Sequence, residues 1–228
     1  MHPTLEVTRD PAAVRAAQAL RHAVFVEELG ARTDGPAGWE ADAFDAHSDH
    51  LILRDGDGVA GTTRIGRGEG PGFYVEREFD LSALRASGRR MAEMGRTCLR
   101  PDHRGGAAAA LMFAGLLDHL AAEGVEVLVG VGSFHGADPV PRLPALACLE
   151  ARALAPRALR PVATGPSAVF PEGPADAAAM RDVPGLIKTY LRAGAWVGRG
   201  AWVDRPFNTV DVCLVLDLAR VRRPRALG

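Results

Sequence analysis

The sequence predicts an α/β (α+β) fold, a mixed and mostly antiparallel twisted sheet flanked by helices. Three observations lead there. Two strand-like runs, 50–54 (HLILR) and 59–65 (VAGTTRI), are separated by Asp55-Gly56-Asp57-Gly58, a turn composition that joins neighbouring antiparallel strands. Residues 91–117 read as a strand, a tight loop and an apolar helix, and the buried strand 125–131 follows at once, so strand-helix-strand units share the chain with the hairpin. There is no internal repeat, and 228 residues at 47% hydrophobic can bury a substantial core as one domain, elaborated from about residue 156 onward.

Taken in order, residues 5–8 form a short strand, and Asp10-Pro11 supplies a cap and a first-turn proline for a helix to about residue 26. Val14, Ala17, Leu20 and Val24 share a face of that helix, and Arg21 and Phe25, four apart near its end, project together. Residues 27–49 make a long loop with Gly30, Gly35, Gly38 and Trp39, then the acidic run EADAFDAHSDH; a connection of that length is a lid or a disordered segment. Its carboxylates suit a solvated lid or a site for a cationic substrate. Asp42, Asp45 and Asp49 with His47 and His50 have no recognised ligand spacing, so no metal is assigned. After the hairpin and the stretch GRGEGPG, residues 75–87 read as a short helix burying Phe79, Leu81 and Leu84. In the strand 91–99, alternation puts Glu93, Gly95, Thr97 and Leu99 on one face and Met94, Arg96 and Cys98 on the other, unless a bulge near Gly95 intervenes. A buried helix 107–124, the strand 125–131, a helix 141–155, a linker-like excursion 156–184, a helix 186–193, a glycine-rich turn and the strand 209–216 complete the chain.

Composition narrows the function. A net charge of −1 gives no global field for nucleic acid. Lys188 is the only lysine, and the arginine and alanine bias fits a GC-rich coding sequence. Cys98, Cys148 and Cys213, odd in number and set in apolar surroundings, read as buried thiols of a reducing compartment. With no signal-like N-terminus and no run of about 18 apolar residues, the expected location is cytoplasmic.

The chemistry concentrates at 91–117. The loop carrying Arg100, His103 and Arg104 opens its helix on Gly105 and Gly106, so free backbone N–H groups and basic side chains meet an anion, most naturally a phosphate. With Arg104, Gly105, Gly106, Ala107, Ala108 and Ala109 in the slot Q/R-x-x-G-x-G/A, the chain resembles the GNAT acyltransferase superfamily, Ala107 standing where the pattern has its first glycine. The segments RHAVFVEELG, DAFDAHSDHLIL, GTTRI, GFYVEREFDL, EMGRTCLRPDHR, SFHGADP and YLRAGAWVGRGAWVDRPFNTVDV extend the likeness, over about residues 21–215, to the ornithine lipid synthase branch. The related acyl-homoserine lactone synthases share the pattern fitted by Arg21, Phe25, Trp39, Asp42, Asp45, Arg64, Glu93 and Arg96, while the segments near Ser133 and FNTVDV favour the lipid branch.

That resemblance implies an N-acyltransferase moving a 3-hydroxyacyl chain from acyl carrier protein to the α-amine of ornithine, the first step of ornithine lipid synthesis. The donor is the acyl-phosphopantetheine of the carrier, with coenzyme A as the alternative and no permanently bound cofactor. Glu93 is the candidate base and Arg96 its catalytic neighbour, with backbone N–H groups from Arg96 to Leu99 for the oxyanion. Cys98, Leu99, Arg104, Gly105, Gly106 and Ala107 make up the donor side. Arg21, Phe25, Trp39, Asp42, Asp45, Arg64, Ser133 and Phe134 make up the substrate side. Arg64 or Arg21 is suited to the acceptor carboxylate and Asp42 or Asp45 to its distal ammonium. Met112, Phe113, Leu116 and Phe134 are candidates for the acyl slot. Arg100, Arg104, Arg222 and Arg223 would steer an acidic carrier, and a lipid product leaves room for peripheral contact with the inner membrane. A coenzyme A-dependent N-acetyltransferase, a lactone synthase-like enzyme and a non-catalytic acyl-carrier binder are the alternatives.

Overall fold

The computed structural model describes residues 3–56, 58–104 and 106–221. Strand β1 (Thr4–Thr8) leads to α1 (Pro11–Arg21), which begins as expected: the Asp10 carboxylate accepts from Ala13 N at 2.8 Å and Pro11 takes the first turn. The helix does not run on to residue 26 in α form. It ends at Arg21 and continues as a π-helix over His22–Glu28, a wider winding that re-aims side chains and often marks functional segments. A 3-10 turn at Asp45–His47 then precedes β2 (Ser48–Asp55) and β3 (Gly58–Gly66); Asp57, in the expected hairpin turn, lies outside the described residues.

The single helix expected over 75–87 is instead a 3-10 turn at Tyr74–Arg77, strand β4 (Phe79–Asp80) and α2 (Ser82–Ala86). Phe79, Leu81 and Leu84 are buried as the pattern required, but the Asp80 carboxylate accepts from Ser82 N and Oγ, and that local turn interrupts the winding. Next come β5 (Met91–Leu99), α3 (Ala107–Ala122), β6 (Val127–His135) and α4 (Leu143–Ala153). The excursion 156–184 is no mere linker, since it holds β7 (Val162–Ala163) and β8 (Ala168–Val169) ahead of α5 (Gly185–Arg192). The glycine-rich turn after α5 likewise holds β9 (Trp196–Val197) and β10 (Ala201–Asp204) before β11 (Thr209–Asp217). Strands of two to four residues have too little alternation to read, which is why the sequence pattern passes over them.

The chain forms two compact units, one of Met1–Tyr74 with Ala92–Val125 and one of Val75–Met91 with Glu126–Gly228. In the first, β1, β2, β3 and β5 pair antiparallel in that order. Its two faces follow from alternation. Ile52 packs with Ala13 and Ala17 of α1, so Leu51, its neighbour in β2, faces the other way, where it meets α3 at Gly115. Because cross-strand partners share a face, His50, Ile52, Thr62 and Arg64 lie on the α1 side, and Leu51, Leu53, Gly61 and Thr63 on the α3 side. A Cβ on Gly61 would stand 2.6 Å from both Met112 of α3 and Leu99, which explains the glycine.

In the second unit, β6 and β11 pair antiparallel along their whole length, from Val127 opposite Asp217 to His135 opposite Thr209. Strand β11 also pairs with β10 and β9, β10 pairs with β8, and β4 pairs with β7. Helix α5 packs on this ladder through Ile187, so closely that a Cβ on Gly132 would meet it at 2.8 Å.

Candidate functional site

Strand β5 breaks the parity that alternation predicts. Arg64 pairs with Gly95 and Thr62 with Cys98, so Arg96 and Thr97 together stand opposite Thr63 alone. This is a β-bulge, and its strained residue is Arg96 itself, with φ of 54°, rather than Gly95. Thr97 goes to the α3 side, where its hydroxyl hydrogen-bonds that of Thr63. Glu93, Gly95, Arg96 and Cys98 all face α1. One extra residue thus puts the two candidate catalytic side chains on the same face.

On that face three arginines and three carboxylates close into a ring of alternating charge. Arg21 donates through Nε to Glu40 Oε2 at 2.5 Å, and Glu40 Oε1 accepts from Arg96 Nε at 3.0 Å. Arg96 Nη2 reaches Asp42 Oδ2 at 3.1 Å, and Asp42 Oδ1 accepts from Arg64 Nη1 at 2.5 Å. Arg64 Nη1 also reaches Asp45 Oδ1 at 3.2 Å, and Arg21 closes the circuit with 2.7 and 3.1 Å bonds to the two Asp45 oxygens. Gln18 Nε2 and Asp42 N add 3.1 and 3.0 Å bonds to Asp45 Oδ2. Side-chain exposure is 0% at Arg21, 2% at Glu40, 4% at Arg64 and 7% at Asp45, against 10% at Arg96 and 20% at Asp42. The ring is therefore sealed at Arg21 and opens along Asp42 and Arg96.

The solvated lid expected for 27–49 holds for 36–39, which are exposed, and is corrected further on, where Glu40, Phe44, Asp45 and Ser48 are buried. Burial alone would raise the Asp45 carboxyl. Hydrogen bonds from Arg21 and the charges of Arg21 and Arg64 more than reverse that, holding it well below the ordinary carboxylate range. Burial pushes the pKa of the His50 imidazole down, which favours its neutral form beside the ring. For Arg96 the desolvation is outweighed by Tyr74, Glu40 and Asp42, which fix its charge more firmly than usual.

Glu93 is buried, and its Oε2 accepts from the Tyr74 backbone N–H at 2.7 Å. The Tyr74 ring lies 4.4 Å from the Arg96 guanidinium carbon and meets Phe44 edge-on, centroids 5.4 Å apart at 70°. Phe25 is half-buried on the π-helix, and Trp39 is exposed, with the Arg15 guanidinium 4.1 Å over its ring. Glu40, Gln18, Phe44 and Tyr74 are the side chains of this arrangement that sequence reasoning did not single out. Glu40 looks like any other acid of its run, and Tyr74 follows a glycine-rich stretch with no periodicity.

The donor-side residues lie in the same unit. Cys98 is buried and its thiol is pushed up to about 12 by desolvation, so it is no nucleophile. Leu99 is half-buried, facing α3. Arg104 is exposed, holding Glu28 in a bidentate pair at 2.6 and 2.7 Å and Leu99 O at 3.0 Å through Nε. Arg100 and His103 hydrogen-bond Asp102, and His103 also meets Asp55 at 3.0 Å. Gly106, with φ of 101°, precedes the exposed Ala107 at the α3 N-terminus; Gly105, Arg222, Arg223 and Arg225 lie outside the described residues. A cavity of about 430 Å³ adjoins the loop, lined by Pro3, His103, Arg104, Ala107, Ala108 and Leu111. Met112, Phe113 and Leu116 of α3 are buried.

Ser133 and Phe134 belong to the second unit, Ser133 exposed on β6 and Phe134 buried. Among the described residues, three carboxylates with metal-compatible spacing occur there, Glu78, Asp204 and Asp211, their ligand atoms within 4.8 Å of one another. No helix among the described residues is long and apolar enough to cross a membrane.

Residues 20–114 match the family described as acetyltransferase (GNAT) domain. The chain is 45% identical, over 93% of its length and 89% of the relative's, to an L-ornithine N(alpha)-acyltransferase of Rhodobacter capsulatus. It is 34% identical to the enzyme of that name from Brucella abortus, covering 92% of this chain and 82% of the relative. Among solved structures it is similar in fold to FeeM, an N-acyl amino acid synthase from uncultured soil microbes, at a TM-score of 0.59 and 13% identity, over 96% of this chain and 91% of that one. The acyl-homoserine lactone synthase LasI is similar at a TM-score of 0.57 and 16% identity, over 95% and 90%.

Proposed function

Since the chain belongs to the L-ornithine N(alpha)-acyltransferase family, with a GNAT domain, we propose that it transfers a 3-hydroxy fatty acyl group from acyl carrier protein to the α-amine of ornithine. The observation that carries this is the 45% identity to such an enzyme over nearly the whole chain. The product, a lyso-ornithine lipid, is amphiphilic, which suits a cytoplasmic enzyme touching the inner membrane face. Ornithine brings one carboxylate and two amines, and the open side of the ring offers a guanidinium and a carboxylate in contact with each other. Arg96 takes the acceptor carboxylate and Asp42 its distal ammonium. Arg21, Glu40 and Asp45 hold these two in place from the sealed side, with Arg64 between. Glu93 accepts the proton that turns the α-ammonium into a nucleophilic amine, and backbone N–H groups at the Arg96–Thr97 bulge take the oxyanion.

Acyl carrier protein is favoured over coenzyme A because a carrier presents one phosphate where coenzyme A presents a pyrophosphate and a ribose phosphate. Arg104 is already paired with Glu28, and Ala107 puts a Cβ where the family pattern has a glycine, so a bulky pyrophosphate can approach the loop backbone less closely than a single phosphate can. The test is the purified chain with 3-hydroxyacyl carrier protein and ornithine, assayed by thiol release and mass spectrometry for N-acyl ornithine. Product with carrier and little with the corresponding acyl-CoA is expected. Thiol release from acetyl-CoA with no acylated ornithine from either long-chain donor would replace this reading with that of a small-molecule acetyltransferase.

A further inference from the structure

An ammonium carries three N–H donors and no acceptor, so a single carboxylate leaves most of the distal group of ornithine unsatisfied. A cavity of about 360 Å³ opens beside Asp42, at the small end of the range for ligand pockets. One wall is α1, whose Pro11, Val14, Arg15 and Gln18 fall at i, i+3, i+4 and i+7 and so form a single stripe along the helix. Asp42 and Asp45 line it as well. The cavity therefore shares two carboxylates with the ring and adds an apolar strip, an amide and a guanidinium of its own.

The two acids are not equivalent. Asp45 is filled: its Oδ1 accepts from Arg21 and Arg64, and its Oδ2 from Arg21, Gln18 and the Asp42 N–H. Asp42 Oδ1 accepts from Arg64 and the Phe44 N–H, whereas Oδ2, among the described residues, accepts from Arg96 and keeps a lone pair for one more donor. Gln18 is 8% exposed, and its amide has one orientation open to it. Asp45 stays ionised, so Gln18 Nε2 must face that carboxylate, at 3.1 Å, and Oε1 turns the other way. Because Gln18 Nε2 and the Asp42 N–H meet on the same Asp45 oxygen, the Gln18 carbonyl and the Asp42 carboxylate are held at the same end of the cavity. Arg15 stands three residues back along α1, about 4.5 Å on the helix axis, its guanidinium stacked 4.1 Å over Trp39. Positive charge at that end drives a cation towards Asp42 and Gln18.

We infer that this cavity is the side-chain subsite of the acceptor and that Gln18 sets its specificity, Gln18 Oε1 and Asp42 Oδ2 together taking the distal ammonium while Pro11 and Val14 lie along the apolar wall. A neutral side chain leaves both oxygens without a donor, and a site built to hydrogen-bond a group discriminates strongly against an analogue that lacks it. A longer cationic chain carries its charge past Gln18 towards Arg15, where it is repelled. This rests on the transferase reading above.

The test is Gln18→Met in the full chain, with 3-hydroxyacyl carrier protein as donor and, as acceptor, ornithine or norvaline, which has the same chain without the distal ammonium. Methionine keeps the length of the side chain and loses the carbonyl. The ratio of kcat/KM for ornithine to that for norvaline, read by mass spectrometry of the acylated products, should fall about tenfold or more, the change being carried by the ornithine KM. An unchanged ratio, whatever the absolute loss, would reduce Gln18 to a support for Asp45 and overturn the assignment. Should the methionine variant melt early, Gln18→Asn serves instead: its carbonyl draws back by one methylene, so the kcat/KM of lysine relative to ornithine should rise, and a ratio that does not rise overturns the subsite. A wild-type chain that releases no thiol with ornithine sinks the transferase reading and the subsite with it, whereas an active wild type beside a Gln18→Met of unchanged selectivity sinks the subsite alone.

Discussion

Two clusters in the first unit are made of the same materials and behave as opposites. The ring of Arg21, Glu40, Arg96, Asp42, Arg64 and Asp45 and the loop cluster of Arg100, Asp102, His103, Arg104 and Glu28 both set arginine against carboxylate at bonding distance. The ring is enclosed, so each charge depends on its partners, and removing one leaves a buried ion uncompensated. In the loop cluster the Glu28–Arg104 pair is about two-fifths exposed on each side, and water can replace either partner at little cost. What separates frame from contact surface is burial, not chemistry. An exposed pair can also exchange its carboxylate for a phosphate, which the ring's sealed side cannot do.

The sharpest way to break the contrast is Arg21→Met. It strands Glu40 and Asp45, and a loss on the order of 3–5 kcal/mol should lower the melting temperature by roughly 6–20 °C for a chain of this size; a melt unchanged by calorimetry would show the ring to be wet. Glu93→Gln tests a residue on the same face but not among the six charges. Turnover should drop about a hundredfold while the melt holds, and a joint loss of both would make Glu93 part of the frame.

The two clusters should also separate by pH. Asp45 has a depressed folded pKa, so its contribution is complete above the unfolded value of about 3.9 and is lost only as pH falls through the folded one. His103 is raised, chiefly by its hydrogen bond to Asp102, so its contribution is complete below about 6.5 and is lost as pH rises through its folded value. Hydrogen exchange, corrected for intrinsic rates, should therefore show residues 100–104 loosening above neutrality while 40–45 stay protected down to about pH 4. Parallel loosening of both would contradict the comparison. The smallest effect is expected of Glu28→Gln, which frees Arg104. The melt should stay where it is, and the donor KM should fall by about two- to fivefold, the gain disappearing in added salt. A donor KM that rises would mean Glu28 supports the loop in its binding form.

The sequence carried long elements well and short-range geometry poorly. Strands β2, β3, β5 and β11 and helix α3 announce themselves because eight or more residues repeat one period. β7, β8 and β9 are paired by their surroundings and have no pattern of their own. In the site, the resemblance picked out Arg21, Asp42, Asp45, Arg64 and Arg96, which the fold brings together in one network, but Glu40 was hidden among solvated-looking acids. The bulge was foreseen as permissible because of Gly95, yet the strain sits on Arg96, where the surrounding ion pairs hold a conformation that local preference would not choose.

The π-helix His22–Glu28 ties the two clusters together, starting one residue after Arg21 and ending on the residue that grips Arg104. A π turn closes over one residue more than an α turn, so this segment could lose a single residue, wind as α-helix at about 3.6 residues per turn and leave Arg21 and Glu28 close to their present bearings. Among descendants of this chain, a change of length within residues 22–28 should therefore be a single deletion that keeps both clusters intact.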